Sequence, residues 1–149
     1  NPTKNAFETE KSFLEFRMRQ HKEYKTRKKY PQIFDYLAHK SIIFAKKTMA
    51  PFEFIQFQRD FNHCSGFFIK PEVVILLNQE TNFILDKINK RGRKFEKKID
   101  LKYLDLIKSE YNNWKTKTKF PLYNIDLNNS DFKNNHSVFL SFLNLFFRC

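Results

Sequence analysis

Residues 71–114 read PEVVILLNQETNFILDKINKRGRKFEKKIDLKYLDLIKSEYNNW. Val73 to Leu77 are continuously apolar and β-branched at the start, the pattern of a strand covered on both faces. Residues 79–91 then turn helical, with Phe83, Ile84 and Ile88 on one face. After a charged stretch, Asp100 stands at an N-cap position, and Leu101, Leu104, Ile107 and Tyr111 repeat at helical spacing behind it. Strand, helix, loop and helix in that order decide the fold, because parallel strands need crossover helices.

Working outward, Ala6 to about Lys28 reads as a helix, with Phe7, Phe13, Leu14, Phe16 and Met18 set among charges and Pro31 ending it. QIFDYL (32–37) reads as a buried strand. KSIIFAKKTM (40–49) and PFEFIQFQRDFN (51–62) follow as helices, the second opened by Pro51 at a first helical position. PLYNID (121–126) is a last strand. The sequence therefore predicts an α/β fold, a parallel sheet flanked by helices.

Composition narrows the function classes. A chain of 149 residues is one domain's worth. Its 41% hydrophobic content and 19 phenylalanines exclude a disordered tail. The net charge of +12 favours an anionic partner: phosphate, nucleotide, nucleic acid or an acidic surface. Abundant Lys, Asn, Phe and Ile with only two Gly also suits an AT-rich coding sequence, so charge alone does not choose among them. Cys64 and Cys149 have neither metal-ligand nor redox spacing, which makes a reducing, cytoplasmic setting the default. No run reaches the length of a membrane span, and no signal-like core opens the chain. His21, His39, His63 and His136 are isolated and read as surface or packing residues; Trp114 and the phenylalanines read as core.

The loop at 88–100, INKRGRKFEKKID, holds four lysines, two arginines, one glycine and two acids. Gly92 permits a tight bend, so Arg91 and Arg93 can approach one small anion. Lys87 lies one turn before Arg91 and shares its face. The competing reading is a solvated charge run.

The whole of 71–114 resembles the second half of a deoxynucleoside kinase, particularly the bacterial deoxyguanosine and deoxyadenosine kinases. There, an apolar strand is followed by a helix, an Arg-Gly-Arg lid, a glutamate and a helix start carrying Tyr-Leu; here these are Val73 to Leu77, Arg91-Gly92-Arg93, Glu96 and Ile99 to Leu104. FDYLAHKSIIFAKK (34–47) is similar to the Asp-Tyr strand end and the Ile-Phe-Ala helix of the bacterial members. NPTKNAFETEKSFLEFRMRQ (1–20) is similar to their Phe-Gln-Thr-Glu helix, and YNIDLNNSDF (123–132) to the closing strand. The resemblance covers roughly residues 1–132.

It implies a P-loop kinase-like fold and phosphoryl transfer from ATP, with Mg²⁺, to the 5′-hydroxyl of a purine deoxynucleoside. Arg91, Arg93 and Lys87 would clamp the ATP phosphates in a lid at about 90–98. Glu96 would approach the sugar or the 5′ end. In a pocket helix at 6–28, Phe7 would stack near the base, and Glu8 stands where the family carries a Gln. Arg17 would reach the same pocket. Asp35 matches an acidic strand-end residue that helps to hold Mg²⁺, and Tyr36 replaces an Arg of many members. A homodimer through the helices from Phe7 and Pro51 is the expected assembly.

The family's Gly-rich GxxxxGK[ST] phosphate loop and its catalytic carboxylate have no counterpart among these residues. The chain is accordingly expected to be one partial kinase domain, 1–149, C-terminal in character and inactive alone, with an atypical end at 133–149. Two other classes stay open: a non-catalytic kinase-like structural subunit of a larger assembly, as in an accessory subunit of mitochondrial respiratory complex I, and a basic nucleic-acid-binding protein. A steep salt dependence of nucleic-acid affinity marks the last, and an intact phosphate loop encoded upstream separates the first two.

Overall fold

The computed structural model describes residues 5–26, 32–128, 140 and 144. Its elements run α1 (Ala6–Lys25), α2 (Lys40–Thr48), α3 (Pro51–Cys64), β1 (Val74–Asn78), α4 (Thr81–Arg91), α5 (Leu101–Lys117) and β2 (Leu122–Asp126), with short 3-10 turns at Ser65–Phe67 and Lys94–Glu96. β1 and β2 pair in parallel, Val74 opposite Leu122 through Asn78 opposite Asp126. The α/β class and the crossover through α4 and α5 follow the sequence pattern.

Local chemistry sets the helix boundaries. Asp100 Oδ1 accepts from the Tyr103 N–H at 2.8 Å and caps α5. Pro51 opens α3, and the Glu53 carboxylate reaches back to the Ala50 N–H at 3.0 Å. Gly92, at φ 68° and ψ 23°, closes α4 in the left-handed conformation, with its N–H on the Ile88 carbonyl.

The core lies among the helices. Leu14 of α1, Ala45 of α2, and Phe57 and Phe61 of α3 are buried together with Ala6, Ala38 and Met49. α2 packs against α1, α3 and α5. On α5, buried Glu110 receives Lys46 at 2.8 Å and Lys47 at 3.0 Å from α2. Burial by itself would raise the Glu110 carboxyl, but the hydrogen bonds and charges of the two lysines outweigh it and hold the group below its ordinary value.

Three expectations are corrected. No strand forms over 32–37: the backbone bends at Asp35 and Tyr36, Phe34 stacks on His21 with centroids 4.7 Å apart, and Tyr36 Oη donates to Gln20 Oε1 at 2.8 Å. These rings fasten the segment to α1 by side chains, so its apolar character comes from ring packing and not from a ladder. β1 is not covered on both faces among the described residues, because Ile75 and Leu77 are exposed. Nor are the phenylalanines uniformly core; Phe13, Phe16, Phe52, Phe67, Phe83 and Phe95 are exposed. The expectations for 27–31, for most of 133–149 and for His136 fall outside the described residues.

His21 ties this side together. It is buried, its Nδ1 accepts the Ile69 N–H at 3.1 Å, and the rings of Phe34, Tyr36 and Phe68 surround it. Burial, and then Lys25, push the imidazole below its ordinary 6.5. A depressed folded value means that the unfolded chain binds the proton first, so the His21 contribution is complete above about pH 6.5 and fades as the pH falls through the folded value. His39, also lowered by burial, acts in the same direction. Thermal unfolding should therefore show a lower midpoint at pH 5.5 than at pH 7.5. His21→Gln, which keeps an acceptor for Ile69, should flatten that difference; an unchanged difference would remove His21 as its source.

Candidate active site

The Arg-Gly-Arg turn, where the sequence predicts a lid, is built by three consecutive local events. α4 ends at Arg91, Gly92 reverses the chain, and the 3-10 turn Lys94–Glu96 carries Glu96 back beneath the end of α4. Arg91 then grips Glu96 with two parallel bonds, Nη2 to Oε1 at 2.7 Å and Nε to Oε2 at 3.1 Å. Arg93 Nη1 stands 3.7 Å from Oε1. The arginine side chains are about half exposed, 47% and 53%, whereas Glu96 is buried at 9%, so the cations face outward on a buried carboxylate. Two positive charges meet one negative, and the turn keeps a net capacity for an anion. Lys87 does not join them; its Nζ donates to Gln79 Oε1 at 2.7 Å, beside the start of α4.

A second feature lies between α1 and α2. Glu10, Phe13 and Arg17 of α1 face Lys40 and Phe44 of α2 across a cleft of about 220 Å³. Arg17 donates to Ser41 Oγ, and its guanidinium sits 5.2 Å from the Tyr36 ring and 5.5 Å from the Phe13 ring. Burial raises the Glu10 carboxyl, opposed by Arg17 and then Lys40. α5 closes the electrostatic environment: burial raises the Tyr103 hydroxyl, with Glu10 adding to it, and pushes Tyr111 up to about 12 despite Arg17. The cleft thus pairs two cations and one half-buried acid with aromatic walls, which suits a flat polar ring.

The expected site residues divide accordingly. Arg17 lines the cleft, and Tyr36 is stacked on it. Phe7 packs edge-to-face on Phe57 at 6.4 Å, within the core cluster, and Lys11 lies over its ring. Glu8 is exposed in the first turn of α1, and Asp35 is exposed at the bend. Sequence reasoning passed over Glu10, Lys40 and Phe44. The signal was there: Glu10, Phe13 and Arg17 recur over two turns of α1, as Lys40 and Phe44 do over one turn of α2.

Comparison with known proteins assigns the class. The family model described as deoxynucleoside kinase matches residues 1–146, and the chain belongs to that family. Deoxyguanosine kinase of Bacillus subtilis (strain 168) is 35% identical over 81 residues, a match covering 54% of this chain and 39% of that protein, so the matched part spans well under half of that relative. Structures of deoxyadenosine kinase from M. mycoides, one with the products dCMP and a flexible dCDP and others with dCTP or dATP, superpose with a TM-score of 0.79 at 23% identity. The first of these covers 95% of this chain and 75% of that one, and the likeness establishes a shared fold.

Gly92 is the position on which the geometry of the Arg91–Glu96 turn depends. A Cβ there meets no clash, its nearest neighbour being Asn89 O at 4.0 Å, so the cost of substitution is the left-handed backbone itself. Gly92→Ala should lose about 1–2 kcal/mol, read as a thermal midpoint several degrees lower. Gly66→Ala is the control: nothing lies within 4 Å of its added methyl. Equal midpoints for the two variants would show that the left-handed Gly92 does not constrain the turn.

Proposed function

We propose that the protein carrying this chain is a deoxynucleoside kinase that transfers the γ-phosphoryl group of ATP to the 5′-hydroxyl of a purine deoxynucleoside, and that this chain supplies its lid and much of its nucleoside pocket. The observation that carries the reading is the outward-facing Arg91 and Arg93 pair fixed on Glu96 at the Gly92 turn. Phosphoryl transfer spreads charge over the transferred oxygens, so positioned guanidiniums supply the stabilisation the reaction needs.

The base would lie in the cleft of Arg17, Phe13 and Phe44, with Glu10 and Lys40 as its polar edge. Phe7 and Glu8, on the same helix, remain part of the proposed pocket, and Lys87 part of the ATP side. Mg²⁺ takes one or two carboxylates and fills the rest of its shell with phosphates and water. Among the described residues no group of three ligating side chains is present, and a single exposed carboxylate, Asp35, fits that sparse demand. Bound there, the ion would neutralise phosphate charge.

A homodimer belongs to the same reading: α1 exposes Phe16, and α3 exposes Phe52 and Ile55. No helix among the described residues is long and apolar enough to cross a membrane, which is compatible with a cytoplasmic enzyme acting on small substrates. The chain of 149 residues alone is proposed to be inactive.

In the full-length protein, Arg91→Ala or Arg93→Ala should lower kcat by about 10²-fold, the effect of removing one preorganised donor. Binding of the deoxynucleoside should stay within about twofold, because the cleft between α1 and α2 is untouched. Radiolabel transfer from ATP measures the first and calorimetry the second. Full turnover in both variants would return the lid to a solvated charge run.

A further inference from the structure

We propose that the cleft between α1 and α2 selects a 6-oxopurine, guanine or hypoxanthine, against a 6-aminopurine, and that Glu10 and Lys40 set the choice; the inference deepens the kinase reading above and rests on its placement of the base. Glu10, Arg17 and Lys40 are half-buried around the cleft. Among the described residues the Glu10 carboxylate makes no hydrogen bond or ion pair, and the Lys40 ammonium has only the Phe44 ring, at 5.5 Å. Arg17 and then Lys40 oppose the effect of burial on the Glu10 carboxyl and favour its ionised form, yet neither comes within ion-pair reach of it. Arg17 gives one nitrogen, Nη1, to the Ser41 hydroxyl, which is neutral, so the guanidinium keeps its charge. One acceptor and two cationic donors are thus open to a ligand.

The order of these groups chooses the ring. Glu10 and Arg17 lie two turns apart on α1, about 10 Å along its axis, with Phe13 between them, and Phe44, one turn from Lys40 on α2, supplies a second wall. A ring set against Phe13 therefore meets an acceptor at one end and cations at the other. An ionised carboxylate accepts and cannot donate, while ammonium and guanidinium donate and cannot accept. A 6-oxopurine presents, in sequence along one edge, the N1–H donor and the O6 and N7 acceptors, which matches that order. A 6-aminopurine presents the N1 acceptor, an N6 donor and then N7. Its N1 lone pair meets the carboxylate, and its amino hydrogens meet the cations. Two contacts then turn repulsive and leave half-buried groups unpaired, the kind of mismatch a site rejects most strongly.

The test uses the full-length protein with deoxyguanosine, deoxyinosine and deoxyadenosine. Calorimetry without ATP should show both 6-oxopurine nucleosides binding about 10²-fold or more tightly than deoxyadenosine, and kcat/KM from radiolabel transfer should keep that order. Deoxyinosine lacks the 2-amino group and so isolates the N1–H and O6 edge. Glu10→Gln preserves volume but lets an amide turn either its donor or its acceptor to the ring, so the ratio should fall by at least about 10-fold. Lys40→Met, which keeps an apolar stem, should lower the ratio in the same direction. Glu15→Gln, exposed on the same helix, should leave it unchanged. Equal or undetectable binding of the three nucleosides, a preference for deoxyadenosine, or a ratio that survives both Glu10→Gln and Lys40→Met would overturn the proposal. If the parent protein shows no turnover with ATP and any deoxynucleoside, the kinase reading fails, and the calorimetric order still decides whether the cleft reads the 6-oxo edge.

Discussion

The nine residues of α2, Lys40–Thr48, are packed by three helices at once, and that crowding governs the helical body. It is possible because Ser41 and Ala45, one turn apart, are small and fully enclosed, at 1% and 0% exposure. Small side chains let helix backbones approach closely. α1 then comes near enough for Arg17 to reach Ser41, and α5 near enough for Glu110 to receive both Lys46 and Lys47. The same short helix turns Lys40 and Phe44 towards the cleft. Core and candidate pocket are two sides of one element, so the packing that stabilises the first also fixes the second.

The Arg91-Gly92-Arg93 turn, the proposed lid, depends on a different kind of constraint. Its partners are near in sequence and held by backbone geometry, with Gly92 as the turn and Glu96 as the anchor. Little apolar burial supports it, and Phe95 within it is 79% exposed. The molecule therefore separates a packed helical body, which holds the cleft proposed for the nucleoside, from a polar turn, which sets where cations face. This division is what a phosphoryl-transfer site needs, since one part must recognise a neutral ring and the other a dense charge.

Much of this was legible in the sequence, and the reason differs from element to element. Asp100 and Pro51 marked their helices because capping is a local reaction between neighbours. Val73 to Leu77 announced a strand because few other elements use such a run, although β1 begins one residue later. The segment 32–37 misled because stacking of Phe34 on His21 needs the same apolar residues as a buried strand. The arginine pair was readable from Gly92; the capture of Glu96 was not, since the direction in which a 3-10 turn returns the chain is set by dihedrals that no residue type prescribes. Glu10, Lys40 and Phe44 stayed hidden because a cleft between helices depends on how the helices cross.

The parallel register of β1 and β2 reaches as far as the Arg91–Glu96 turn. It locks the start of α4 and the end of α5 to one small sheet, while Gly92 and the Asp100 cap close the helices at the other end. Only residues 93–99 lie between, at most about 25 Å of chain at full extension. A movement of Arg93 is thus a short lever swinging on a fixed fulcrum, the end of α4 at Arg91. If it opens as a lid, its clock is that of lids, microseconds to seconds, and not the nanoseconds of a free loop.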